Sequence, residues 1–116
     1  MWTVAAICSG AIAYFAILYR FQTYSQRNNL PGSTYVIFAA VVFLLGFGLA
    51  LLARLSGTRI GSLLLAGVFA AHAVIIGIDV QQDPTNHNLL PFEFIIFFVL
   101  GSPAYAGAWL ARFARR

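Results

Sequence analysis

Four apolar runs occupy about residues 3–19, 35–53, 60–78 and 92–111, and the second of them contains no charged residue at all. A helix rises about 1.5 Å per residue, so each run is near the roughly 20 residues needed to cross a hydrocarbon core about 30 Å thick. Inside lipid every backbone N–H and C=O has to be paired, which leaves helices or closed barrels. The period-two alternation of barrel strands is absent from these runs. The sequence therefore predicts an all-α integral membrane four-helix bundle, a single transmembrane domain over residues 1–116 made of two helical hairpins.

Composition closes the soluble alternative. Hydrophobic residues make up 61% of the chain and charged residues 9%, against roughly 25% charged in soluble domains. A domain this short leaves about a third of its unfolded surface exposed, and too few polar side chains exist here to cover it. The first run has no basic residues ahead of it and extends to Tyr19, which reads as a retained span and not a cleaved signal. Cys8 has no partner for an intrachain disulfide and reads as a small packing residue.

The charge of the chain comes from seven arginines, three acids and no lysine. No basic run is interleaved with aromatics, so nucleic acid is excluded as a partner. With four spans, the termini and the middle connection share one side and hold Arg54, Arg59, Arg112, Arg115 and Arg116, while Arg20 and Arg27 fall on the other. The positive-inside rule then places both termini in the cytoplasm, with the chain in a bacterial-type inner membrane or a plasma membrane. Tyr19, Phe21, Tyr24 and Tyr35 gather where the outer interface should lie and Trp109 nears the inner one, as amphipathic rings prefer.

The two halves share a pattern. Asn29-Leu30-Pro31 precedes Tyr35-Val36-Ile37-Phe38 much as Asn88-Leu89-Leu90-Pro91 precedes Phe94-Ile95-Ile96-Phe97, and Leu52-Ala53-Arg54 has a counterpart in Leu110-Ala111-Arg112, at offsets of 58 to 60 residues. An internal duplication would give two hairpins of equal orientation. The competing account is that spans starting after proline and ending at arginine resemble one another. Small residues four apart, Ala6 and Gly10, Gly67 and Ala71, Gly107 and Ala111, together with Gly46 and Gly48, suit close helix contact within the bundle or between copies.

All acids and histidines fall between His72 and Glu93. In a regular third helix His72 and Asp79 share one face, with His72 about 10 Å deeper. An ionisable side chain inside a span points to the bundle interior and to function, although a neutral histidine bonded to a neighbouring helix is also a stable packing element. Between the last two spans, Pro84 disfavours helix at Asp83, so the third helix should end near Gln82. Pro91 suits the first turn of the fourth, where Glu93 meets the positive end of the helix dipole. Capping of two helices thus explains this segment without further chemistry. A sharper account takes His72, Asp79, Asp83, His87 and Glu93 as candidates for a ligand or ion, with Asp79 and Glu93 feeding protons or cations to His72. Asp79, Asp83, His87 and Glu93 are also weak metal-ligand candidates, since carboxylates and imidazole suit zinc, manganese or iron but no recognised spacing is present. Gly101-Ser102-Pro103 predicts a kink in the last span.

No nucleophile elbow, phosphate loop, HExxH, CxxC or dinucleotide fingerprint occurs, so no cofactor is indicated by motif and enzymatic activity is not expected. The leading expectation is a non-enzymatic accessory subunit or oligomeric scaffold of a membrane complex, with residues 79–93 as its contact site and the lipid bilayer as its solvent. The alternatives are a small homo-oligomeric transporter or proton- or cation-coupled channel using His72 and Asp79, and a metal-binding membrane protein or enzyme using the outer cluster.

Overall fold

The computed structural model describes residues 2–19, 32–53, 55–82 and 90–114, and all of the regular structure there is helical. Helix α1, Trp2–Ala13, continues directly into a π-helical segment, Tyr14–Tyr19. Helix α2 is Gly32–Leu52 and α3 is Gly57–Gln82. The fourth span is two helices, α4 at Leu90–Gly101 and α5 at Pro103–Ala114. Four helical stretches of 18, 21, 25 and 23 residues are long and apolar enough to cross a membrane. The end of the bundle that carries the connections 20–31 and 83–89 is here the loop end, and the opposite one the termini end.

Helix α3 is longer than its apolar run at both ends. Ser56 caps its start: the Arg59 amide donates to Ser56 Oγ at 3.1 Å and the Ile60 amide to the Ser56 carbonyl at 3.0 Å. At the other end the helix carries Asp79 to Gln82 beyond the apolar run and stops where Pro84 requires it to.

Packing follows a pattern that sequence order does not announce. Helix α1 packs chiefly on α3 and α2 chiefly on α5, so the first span meets the third and the second meets the fourth. Glycine is the reason. At the α1–α3 crossing Gly10 lies directly against the Leu64 carbonyl and Gly67 against the Ile7 carbonyl, so a Cβ on either would overlap backbone. At the α2–α5 crossing Gly46 lies against the Ala104 carbonyl and Gly107 against the Phe43 carbonyl. Lipid tails are as apolar as leucine, so helix association has to come from close van der Waals contact and Cα–H···O contacts, which these backbone approaches supply. Each crossing is locally two-fold, at an offset of 57 residues in the first pair and 61 in the second. The helices that the sequence repeat equates are thus the ones in closest contact.

The remaining expected small residues, Ala6, Ala71 and Ala111, are buried too, so these faces are spent within the bundle. Gly48 instead looks onto open space. Buried positions recur every three or four residues on α3, from Ile60 through Leu64, Val68, His72 and Ile75 to Asp79, which is one continuous stripe.

Candidate functional site

The stripe on α3 delivers an imidazole and a carboxylate into the bundle interior. His72 is 1% exposed and Asp79 2%, seven residues apart on the same face as the periodicity predicts. His72 stands ten residues before the end of α3, about 15 Å down the helix from the loop end.

Two other elements converge on it. Tyr14 opens the π-helical segment and is itself 2% exposed, and its hydroxyl sits 2.7 Å from His72 Nδ1. A π-helix pairs each N–H with the carbonyl five residues back, so one more residue is fitted into the turn, which is wider there. Such turns are rare and frequent at functional sites. No proline or glycine occurs in Tyr14–Tyr19, and edge-on contacts of Tyr14 with Phe15 and of Phe15 with Tyr19, at 5.9 and 5.8 Å between ring centres, line its course. From the fourth span, Glu93 in the first turn of α4 brings Oε1 to 3.5 Å from His72 Nε2. Its side chain is 21% exposed where that of His72 is 2% exposed. Glu93 lies only about 4.5 Å into α4, so α3 overshoots the start of α4 by several ångströms at the loop end.

Aromatic edges wall the rest of the imidazole. Phe97 approaches it at 4.4 Å between ring centres and Phe94 at 5.1 Å, while Phe97 also meets Tyr14 and Phe94 meets Phe69. In so apolar a surrounding, polar contacts are strengthened; Nδ1 has the Tyr14 hydroxyl at hydrogen-bond distance, whereas Nε2 has Glu93 Oε1 at 3.5 Å, within ion-pair range and longer than a hydrogen bond. When the Tyr14 hydroxyl donates to Nδ1, the proton of a neutral imidazole resides on Nε2, the nitrogen 3.5 Å from Glu93 Oε1. When both nitrogens carry protons, the same hydroxyl accepts from Nδ1–H and the carboxylate faces the second N–H. Tyr14 therefore serves either protonation state. With one proton shared between imidazole and carboxylate, the pair carries no net charge as imidazolium with carboxylate or as imidazole with carboxylic acid.

Of the five sequence candidates, His72 and Glu93 are brought together. Asp79 shares the stripe about two turns above His72. Asp83 and His87 lie outside the described residues. Among the described residues no three of His, Cys, Asp and Glu converge as a metal site would require. Tyr14 is a site residue that sequence reasoning missed. One signal for it was available: it is a tyrosine in mid-span and not at an interface, and it precedes His72 by 58 residues, the offset of the proposed repeat.

The break in the fourth span is satisfied locally. Pro103 cannot donate to the Val99 carbonyl, and Ser102 takes over, with Oγ donating to it at 2.7 Å and the backbone N–H at 3.3 Å. The Leu65 side chain fills the space where Gly101 would carry a Cβ. The interruption at Ser102 is thus a packing joint between α4 and α5.

No protein-family model matches the chain, and none of the curated proteins or solved structures matches it either.

Proposed function

We propose that this chain is a small proton-handling membrane protein, whose bundle takes up and releases a proton at His72 and Glu93 and works as a proton-coupled transporter or channel. The observation that carries this reading is the line Tyr14–His72–Glu93, at 2.7 and 3.5 Å, assembled from three spans around a buried imidazole. An ionisable pair within a span is costly and is retained where charge or protons move. The geometry favours a proton over a larger cation. Calcium takes six to eight oxygen ligands and magnesium near-octahedral coordination, whereas His72 and Glu93 offer two groups already facing each other. The site lies in an inner or plasma membrane with both termini cytoplasmic, as the arginine distribution supports.

Flux across vesicles loaded with a pH-sensitive dye tests the proposal. Wild-type protein is expected to dissipate an imposed pH gradient and His72→Ala to do so far more slowly. Equal flux in the two, or none in either for protons and monovalent cations, removes the reading.

An accessory subunit or oligomeric scaffold is the second reading, supported by the outward face of α3. Ser62, Ala66, Ala70, Ala73 and Gly77 are all exposed there, small enough for a further helix to approach closely. Native mass analysis in mild detergent tests it, and a lone monomer without a partner counts against it.

A further inference from the structure

The two directions out of the His72 site differ in kind. Toward the loop end stands Glu93, whose side chain is partly exposed, in the first turn of α4. Toward the termini end the buried stripe of α3 is apolar, from Ala71 through Val68 and Leu64 to Ile60. Along the same stretch α1 and α3 touch backbone to backbone at Gly10 and Gly67. The one hydroxyl on α1 in that region, Ser9, donates to the Ala5 carbonyl of its own helix. The next polar side-chain pair on α3 is Ser62 with Tyr105, ten residues away from His72 and on an exposed face. Protons move along hydrogen-bonded groups or ordered water, and an apolar close-packed layer supplies neither.

Resting on the reading of His72 and Glu93 as the working pair, we infer that the pair equilibrates with the loop-end compartment alone, with Glu93 as the relay and the glycine crossing of α1 and α3 as the slow barrier to the other side. The step balances simply. As the two groups close from 3.5 Å to hydrogen-bond distance, the Nε2–H bond of an imidazolium breaks and an O–H bond forms on the Glu93 carboxylate, leaving neutral imidazole and carboxylic acid, and the acid then releases its proton to water at the loop end. Uptake is the reverse. The titratable groups around the pair are Tyr14 from the π-helical segment, Glu93 itself from α4, and Asp79 farther up α3. On α2 Tyr35 is the one titratable residue among those described, and on α5 they are Tyr105 and Arg112, toward the termini end.

The test uses full-length protein labelled with ¹⁵N-histidine in phosphatidylcholine and phosphatidylglycerol vesicles, with orientation fixed by protease access and the pH on the two faces set independently between about 5 and 8. The His72 ring resonances are expected to follow the pH at the loop end and to ignore the other face. Glu93→Gln, of matching shape, is expected to slow proton exchange at His72 by about a hundredfold, and Glu93→Asp to restore most of the rate. Resonances that follow the termini-end pH, or an unchanged exchange rate in Glu93→Gln, overturn the inference while leaving the proton-handling reading standing. A His72 that titrates from neither face overturns both.

Discussion

The two principal helix pairs are built by the same device and differ in what lies beyond it. In both, a glycine on each helix receives a carbonyl from the other, and both crossings are locally two-fold. On the α2–α5 side the buried face of α2 continues past the crossing toward the loop end as Val42, Phe38 and Thr34, with a single short hydroxyl. On the α1–α3 side it continues into Tyr14 and His72, and the helix leaves α-geometry where the tyrosine reaches the imidazole. Close backbone packing thus provides a rigid floor for both pairs; above it the buried face of α2 carries only the Thr34 hydroxyl, while the α1–α3 pair carries a tyrosine and a histidine. Stability and chemistry are therefore separable along the length of one helix pair.

The largest effect should come from breaking the floor itself. Gly46→Leu, Gly67→Leu or Gly107→Leu drives a side chain into backbone that has no rotamer through which to yield, and each is expected to cost about 3 kcal/mol or more, read as loss of folded protein in detergent melts. If the pairs are equivalent as floors, the α1–α3 and α2–α5 variants fall together; a wide difference would show that one pair alone holds the bundle. Next comes His72→Ala, with an expected loss of about 2 kcal/mol, since the Tyr14 hydroxyl and the Glu93 carboxylate lose the group between them. Tyr14→Phe removes one hydroxyl and should cost about 1 kcal/mol by the same melt. It should also narrow the pH range over which the His72 signal keeps a single environment, because phenylalanine cannot serve Nδ1 in either state. Ser102→Ala is expected to cost about 0.5 kcal/mol, the backbone N–H still reaching the Val99 carbonyl. At the small end, Gly48→Ala and Gly77→Ala meet nothing within 4 Å and should be neutral or gain up to about 1 kcal/mol. A substantial loss there would mean that the exposed glycines face something outside the bundle.

Much of this architecture is legible in the sequence. The apolar runs determine the number of spans, because lipid leaves one answer for a 20-residue apolar segment, and Pro84 sets the end of α3. The shared face of His72 and Asp79 comes from helical period alone. The sequence assigns Glu93 to the dipole at the start of α4, which it does occupy, but its approach to His72 depends on how far α3 overshoots α4, a tertiary quantity without a local signal. The partners of each helix are hidden for a similar reason: small residues advertise close contact without saying with which helix. Tyr14 escapes sequence reasoning because no proline or glycine within Tyr14–Tyr19 announces a π-turn.

That π-helical segment ties the site to chain length. It holds one residue more than an α-helix would in the same turn, and one residue of α-helix corresponds to a rotation of about 100°. Deleting a single residue between Phe15 and Tyr19 would remove that extra residue and let the segment close as α-helix, leaving Tyr14 and the end of the span nearly in phase. The same deletion in the regular helix Trp2–Ala13 has no such reserve and would turn one side of the span against the other by about 100°. A related chain one residue shorter within Tyr14–Tyr19 would still cross the bilayer with Tyr14 on the face that meets His72.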